Sequence, residues 1–268
     1  MPELPEVETT RRGITPYLVS QKVAAVIVRE PRLRWVVSPH LDSFLKGRRI
    51  RDVGRRGKYL LLHADDGCLI IHLGMSGSLR LADPAAPPRK HDHIDIVLES
   101  GHCLRYHDPR RFGAFLWTTQ PYHHALLKEL GPEPWDLNAA YLYERARGRS
   151  QSVKSFIMDS HTLVGVGNIY ASESLFEAGV DPRRQAGRIA LRRFERVRAA
   201  IVAVLEQAIG YGGTTLRDFV AADGNPGYFR QVLRVYEREG KPCHTCLRPI
   251  DHSLILGRAT YFCKHCQR

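Results

Sequence analysis

Two Cys-x2-Cys pairs, Cys243 with Cys246 and Cys263 with Cys266, stand sixteen residues apart near the end of the 268-residue chain. No other feature restricts the local fold so strongly. Each pair presents two thiolates from one tight turn, and four thiolates complete the tetrahedral shell of a structural metal, with a hairpin between them. Such a hairpin buries too little apolar surface to fold unaided, and zinc binding stabilises small fingers by about 10–16 kcal/mol. Residues 231–268 are therefore expected to form a zinc finger holding one structural Zn2+ per chain. A closed four-thiolate shell keeps no position open for chemistry. Spacing alone admits iron as well as zinc, and two disulfides would use the same four residues.

The disulfide alternative needs an oxidising compartment. The chain opens without the charged head and apolar stretch of a secretory signal, and its longest apolar runs, around 59–62 and 68–71, are far too short to span a bilayer. A cytosolic setting is expected, with Cys68 and Cys103 as reduced, buried thiols. Forty Lys and Arg against twenty-eight Asp and Glu leave a net charge of +12, which calls for a polyanionic partner and puts nucleic acid first. A membrane surface is set aside, because no basic amphipathic helix with bulky anchoring residues is evident.

Length points to two or three units. Up to about residue 120 the pattern is that of strands. Leu60 and Leu62, then Leu69, Ile71 and Leu73, flank an Asp66-Gly67 turn, and Ile94, Ile96 and Leu98 alternate across Ser100-Gly101 with Leu104 and Tyr106. One buried face per strand is expected, in a sheet or sandwich. The stretch QPYHHALLKELGPEPWDL then breaks the pattern as a short helix plus linker, placed at 121–136. Beyond it the period is helical, with Phe194, Val197, Ile201, Val204, Leu205, Ala208 and Ile209 on one face and Gly210 as the stop. Residues 212–230 carry four glycines and a proline with no period, the mark of a long functional loop.

The first residues, MPELPEVE, are chemically pointed. Removal of Met1 before a small residue would leave the secondary amine of Pro2 at the chain end. A secondary amine condenses with an aldehyde-level carbon to a permanently charged iminium, an electron sink, and an α-amino group titrates near pH 8. Glu3 stands beside it as a proton carrier. Pro5, Glu6 and Glu8 suit the first turn of a helix over 5–12 and would hold the terminus still; ordinary helix-start chemistry explains those three equally well. Lys58, after Arg55-Arg56-Gly57, stands at a strand mouth, either as a proton donor or as part of a solvated basic turn. Met75 in HLGMSGSL, and Arg110 with Phe112 in DPRRFG, offer apolar wedges and a guanidinium on turns; core burial is the alternative for the wedges.

Taken in order, MPELPEVET, RRGKYLLL, HLGMSGSLR, KHDHIDI, DPRRFGAF, LVGVGNIYASE, GGTTLRDF, GNPGYF and the terminal cysteine pairs make the chain resemble the formamidopyrimidine-DNA glycosylase family essentially end to end. The resemblance implies an α+β multidomain protein. Its parts are an N-terminal catalytic β-sandwich (1–120), a linker (121–136), and a helical domain (137–230) with a helix-two-turn-helix motif at about 152–178 and a lesion-capping loop (212–230). The zinc finger (231–268) follows. It also implies a bifunctional enzyme of the bacterial cytosol, working as a monomer on damaged duplex DNA with no obligate protein partner. Such an enzyme excises 8-oxoguanine and formamidopyrimidines through a Pro2 Schiff base and then cleaves the strand by β- and δ-elimination.

Carried over by residue, Pro2 is the nucleophile, Glu3 the acid/base with Glu6 in support, Lys58 the proton donor for β-elimination and Arg258 the residue for δ-elimination. Met75, Arg110 and Phe112 fill the void left by the extruded base, with Arg110 facing the orphaned cytosine. His91, Arg149, Lys154 and Asn168 grip DNA, and for Asn168 a Gly-rich turn opening a helix adds independent logic. Ser150 stands where some relatives carry a further basic residue, which weakens the transfer at Arg149. Leu4 favours the purine branch over the sister endonuclease VIII branch. A non-catalytic zinc-ribbon DNA binder is the reading that charge and cysteines alone would permit.

Overall fold

The computed structural model describes residues 2–213 and 232–268. These divide into two compact units, the first made of residues 2–128 and 211–213, the second of 129–210 and 232–268. Of the expected capping loop 212–230, only Gly212 and Gly213 are among the described residues; the remainder lies outside them.

The first unit opens with helix α1 (Leu4–Leu18), and two four-stranded antiparallel sheets follow. One has the order β1 (Val23–Val28), β6 (Asp92–Leu98), β7 (Cys103–His107), β5 (Ser78–Ala82). The other runs β2 (Ile50–Arg56), β3 (Tyr59–Ala64), β4 (Gly67–His72), β8 (Ala114–Thr118). Short helix α2 (Leu41–Leu45) packs near β1. Val26, Ile94, Ile96 and Leu104 of one sheet and Val53, Leu60, Leu62, Leu69, Ile71 and Phe115 of the other share a single buried cluster with Val7, Ile14 and Leu18 of α1. That is a β-sandwich, its strands held by period-2 burial.

Three details depart from the sequence expectation. Helix α1 outruns 5–12, passing through Pro16, because Ile14 and Leu18 continue its buried stripe. The β3–β4 hairpin turns at Asp65-Asp66, since Ala64 pairs with Gly67. Gly67 is needed for space instead: a Cβ there would meet the Trp117 ring at 2.6 Å and the Thr118 carbonyl oxygen at 2.8 Å. Third, part of the reverse faces is buried as well. Leu61 and Ile70 are buried, and so are Asp95 and Arg105, joined by two 2.8 Å hydrogen bonds from the Arg105 guanidinium. A fully buried charge is tolerated when paired this way, and alternation of apolar residues cannot reveal it. Cys68 and Cys103 are both fully buried, and burial pushes their thiols up to about 12 and 11.

The expected connecting helix is a single 3-10 turn, Pro121–His123. The second unit then holds α3 (Ala139–Ala146), α4 (Val153–Met158), α5 (Asn168–Glu177) and α6 (Leu191–Gly210), followed by the hairpin β9 (Asp251–Ile255) and β10 (Arg258–Phe262). Helix α6 buries Phe194, Val197, Ile201, Val204, Leu205 and Ala208. Gly210 is its last residue, and the left-handed stop falls to Gly212 and Gly213, at φ of +74° and +81°. Helix α5 is tied to the hairpin unit by buried Glu173, whose carboxylate accepts the backbone N–H groups of Arg234, Val235 and Tyr236 at 2.8, 2.9 and 2.8 Å. Burial still pushes the Glu173 carboxyl above its usual range. Phe176 of α5 joins Val235, Cys243, Ile250 and Cys263 in a small core. No helix among the described residues is long and apolar enough to cross a membrane.

Candidate active site and nucleic-acid interface

Pro2 and Glu3 lie directly before α1. Glu3 is the helix N-cap, and with Glu6 it forms a reciprocal capping box, the Glu6 Oε2 accepting the Glu3 N–H at 2.9 Å while the Glu3 carboxylate accepts the Glu6 N–H. Pro2, Glu3 and Glu6 are all buried. The box satisfies helix N–H groups that would otherwise be orphaned and fixes the backbone that carries Pro2. Gly213 closes over Glu6, where a Cβ would lie 3.0 Å from Oε1, at a φ of +81° that itself favours glycine.

One turn further on, Glu8 gathers three arginines. Its carboxylate accepts Arg11 Nε at 3.0 Å, Arg12 Nε at 2.8 Å and Arg55 Nε at 3.2 Å. Burial alone would push this carboxyl up, but the hydrogen bonds from Arg11 and Arg12 and the charges of Arg11 and Arg55 outweigh it and hold Glu8 at about 2. Arg55 also donates to the Gly57 carbonyl at 2.9 Å. Gly57 (φ +56°) and Lys58 are the two turn residues between β2 and β3, so this chain of contacts locates Lys58 relative to α1.

The Glu8 cluster makes a pH-dependent contribution with a definite sign. A carboxyl whose folded pKa is depressed stabilises the fold above its unfolded value and loses that contribution as pH falls towards 2. Glu8→Gln is expected to destabilise the protein at pH 7 by about 3 kcal/mol, at roughly 1.4 kcal/mol per pKa unit. The gap to wild type should narrow below pH 4 in urea titrations. A gap of equal size at pH 3 and pH 7 would contradict the assignment.

Lys58 is half-buried, and its charge reaches His72 on β4. Burial, then the Lys58 and Arg34 charges, push His72 down to about 4. Its neutral ring lies 4.8 Å from the Tyr59 ring, and its Nδ1 accepts the Gly74 N–H at 3.0 Å. His72 thus connects the Lys58 turn to the loop bearing Met75. Nothing in the sequence reading picked it out, although it lies in HLGMSGSL.

Met75 is 40 % exposed, which rules out core burial for that wedge. Phe112 is half-buried and Arg110 exposed, with the guanidinium carbon 4.8 Å from the centre of the Phe112 ring. The two loops touch through their backbones: a Cβ on Gly74 (φ +70°) would come within 2.5 Å of the Phe112 carbonyl carbon. His91, half-buried at φ +73°, takes the Asp108 N–H on its carbonyl at 3.0 Å. The structure therefore collects Met75, His91, Arg110 and Phe112 on adjoining turns at the ends of β4, β6, β7 and β8.

In the second unit, Lys154 on α4 is buried, and its Nζ donates to the Ala259 carbonyl at 2.9 Å and to Thr260 Oγ1 at 2.8 Å. Asn168 opens α5 and donates from Nδ2 to the same carbonyl at 3.0 Å, while its buried Oδ1 has no hydrogen-bond partner among the described residues. Both residues therefore converge on β10 beside exposed Arg258, and a cleft of about 180 Å³ lined by Lys154, Met158, Ile255, Leu256 and Arg258 adjoins them. Arg258 follows a two-residue turn in which Leu256 (φ +47°) and Gly257 (φ +71°) are left-handed. Arg149 is exposed, on a turn whose carbonyl accepts the Gly187 N–H at 3.0 Å.

The four tail cysteines bring their sulfurs within 4.8 Å of one another. Cys243 and Cys266 are 3.9 Å apart and Cys246 and Cys263 3.5 Å, near the edge of about 3.8 Å that a tetrahedron with 2.3 Å Zn–S bonds requires and far from the 2.05 Å of a disulfide. The donor set fits a structural zinc.

Family models agree with this layout. The description "Formamidopyrimidine-DNA glycosylase N-terminal domain" matches residues 1–115, and "Formamidopyrimidine-DNA glycosylase H2TH domain" matches 130–220. Formamidopyrimidine-DNA glycosylases of Methylococcus capsulatus and Stutzerimonas stutzeri are 58% and 57% identical, each over 100% of both chains. Among solved structures, the MutM (Fpg) protein of Thermus thermophilus is 37% identical with a TM-score of 0.88, covering 99% of this chain and 98% of its own. Lactococcus lactis Fpg in complex with an abasic site containing DNA is 32% identical, with a TM-score of 0.92 over 100% of both chains. A Lactococcus lactis variant bound to a Fapy-dG containing DNA has the same TM-score at 33% identity, again over 100% of both chains.

Proposed function

The chain belongs to the formamidopyrimidine-DNA glycosylase family, and from that premise we propose how its own residues carry out the excision of oxidised purines from duplex DNA and the strand cleavage that follows. The enzyme is a DNA glycosylase and abasic-site lyase. With Met1 removed, the Pro2 amine bonds to C1′ of the damaged nucleoside as the bond from C1′ to the base breaks and the base departs with a proton. Glu3, fixed by its capping box, delivers a proton as the sugar ring opens to the iminium, and takes part in the return transfer. The charged iminium acidifies the C2′ proton. Its loss expels the 3′ phosphate, with Lys58 as proton donor, and a second elimination assisted by Arg258 expels the 5′ phosphate. Water then hydrolyses the iminium and restores the amine.

The supporting observation is the buried pairing of Glu3 with Glu6, which holds the Pro2 backbone still at the point where the nucleophile is needed. Met75, Arg110 and Phe112 occupy the space vacated by the extruded base, with Arg110 donating to the acceptor atoms of the unpaired cytosine. His91, Arg149, Lys154 and Asn168 contact the DNA backbone. The four cysteines would hold one Zn2+, whose contribution is to fold the finger that presents Arg258. The enzyme acts as a monomer in the bacterial cytosol, without an obligate protein partner.

Side-by-side single-turnover excision tests the substrate class. 8-Oxoguanine opposite cytosine should be removed faster than thymine glycol in the same duplex; the reverse order would support an endonuclease VIII-like activity instead.

A further inference from the structure

Asp108 opens the DPRRFG turn and is fully buried. Four donors converge on its carboxylate. Oδ1 accepts Ser76 Oγ at 2.8 Å and the Arg110 N–H at 3.2 Å; Oδ2 accepts the Tyr106 hydroxyl at 2.9 Å and the Gly113 N–H at 3.0 Å. Its backbone is held as well, the N–H by the His91 carbonyl at 3.0 Å and the carbonyl by His93 Nε2 at 2.8 Å.

These partners belong to three segments: Ser76 follows Met75, Arg110 and Gly113 enclose Phe112, and His91 begins the third. We infer that Asp108 is a positioning residue that locks the Met75 loop, the Arg110–Phe112 turn and the His91 turn into one rigid unit, so that opposite-base selection depends on it although it touches no DNA. The inference rests on the void-filling role proposed for Met75, Arg110 and Phe112.

The chemistry requires a carboxylate. Two oxygens, each taking two donors, use the capacity of an ionised side chain that only accepts. Burial, with the Asp108 charge, pushes the Tyr106 phenol well above its ordinary value, so the hydroxyl remains a donor. An isosteric amide would turn an NH2 group towards donors. The Tyr106 hydroxyl can rotate to accept from it, whereas the Gly113 N–H cannot, and an Arg110 N–H cannot if the amide is flipped. The surroundings leave little room for compensation: a Cβ on Gly113 would come within 1.8 Å of the Tyr106 hydroxyl oxygen, and one on Gly77 within 2.1 Å of the Leu73 carbonyl oxygen.

The consequence is specific. Arg110 discriminates between opposite bases only while its guanidinium is aimed within tenths of an ångström, and Asp108 holds the backbone on both sides of Phe112, at the Arg110 and Gly113 N–H groups, while the guanidinium lies over the Phe112 ring. A loosened turn still inserts apolar bulk into the duplex but no longer distinguishes cytosine from adenine.

The test compares wild type with Asp108→Asn, Ser76→Ala and Arg110→Ala. Excision of 8-oxoguanine opposite C and opposite A is measured in single turnover, alongside borohydride trapping on a single-stranded abasic oligonucleotide, where no orphan base exists. Asp108→Asn is expected to reduce the C-to-A rate ratio at least about fivefold, through loss of a buried backbone hydrogen bond to the turn, while trapping stays within about twofold. Ser76→Ala removes one donor without a buried orphan of its own and should give a smaller fall in the ratio; it decides the matter if Asp108→Asn does not fold. Arg110→Ala tests the underlying reading separately. Should Arg110→Ala leave the ratio intact, the void-filling assignment fails. Should it collapse the ratio while both other variants retain it, Asp108 is not a positioning residue.

Discussion

Glu3→Gln is expected to lose base excision by a factor of about 10²–10⁴, the usual contribution of a positioned acid/base, while the fold and lesion-duplex affinity stay close to wild type. Glu3 is both the helix cap and the group next to the Pro2 amine. A glutamine oxygen can still accept the Glu6 N–H, so the capping box survives in half or whole and the cost to stability stays within about 1 kcal/mol. What the amide cannot do is exchange a proton with the opening sugar. The substitution thus separates the two roles of one side chain. Single-turnover excision of 8-oxoguanine, with a filter-binding or anisotropy measurement of affinity, reads both; wild-type excision by the variant would remove Glu3 from the chemistry.

The second large effect concerns the metal. Cys263 is buried in the small core with Phe176, Val235 and Ile250, so Cys263→Ser removes a ligand and inserts a hydroxyl into apolar surroundings. With zinc contributing about 10–16 kcal/mol to fingers of this kind, the hairpin carrying β9 and β10 should lose its fold. The damage reaches further than the finger, because the Ala259 carbonyl on β10 is the shared acceptor for Lys154 and Asn168. Without it, two polar side chains on α4 and α5 lose their common anchor and the helix-two-turn-helix surface loosens. Affinity for a lesion-containing duplex should fall by roughly 10²-fold, as the phosphate contacts proposed for these residues are lost together. Zinc content by atomic absorption and affinity are measured on the same preparation. A variant that lacks zinc yet binds DNA as wild type does would show that the finger takes no part in binding.

How far the sequence was legible follows from where its constraints are local. The cysteine spacing, the alternation in 94–106 and the stripe from Phe194 to Ala208 each express themselves within a few residues, and the structure has them as a thiolate cluster, a hairpin and a helix. The capping pair Glu3 and Glu6 is equally local, three residues apart, yet the sequence reading placed only Glu6 in the first turn and did not pair it with Glu3. What could not be read are contacts between distant segments. Asp95 with Arg105 and Asp108 with Ser76 are polar residues whose burial is decided by partners ten or thirty-two positions away. His72 is read as an ordinary strand residue until Lys58, Tyr59 and Gly74 are placed around it. Gly67 and Gly213 were expected to serve a turn and a loop, and both turn out to sit against a neighbouring side chain: a Cβ on Gly67 would overlap Trp117, and one on Gly213 would crowd Glu6. The wedge at Met75 illustrates a further limit, since an apolar residue in a turn has no local mark that separates exposure from burial.

Covalent capture at the chain end probes the central claim most directly. The enzyme is incubated with an 8-oxoguanine duplex in the presence of borohydride, the adduct is digested, and the modified peptide is sequenced by mass spectrometry. The reduced sugar should be bonded to the nitrogen of Pro2 in a chain lacking Met1; a stable adduct on a lysine, or an active enzyme whose first residue is still methionine, would contradict the account.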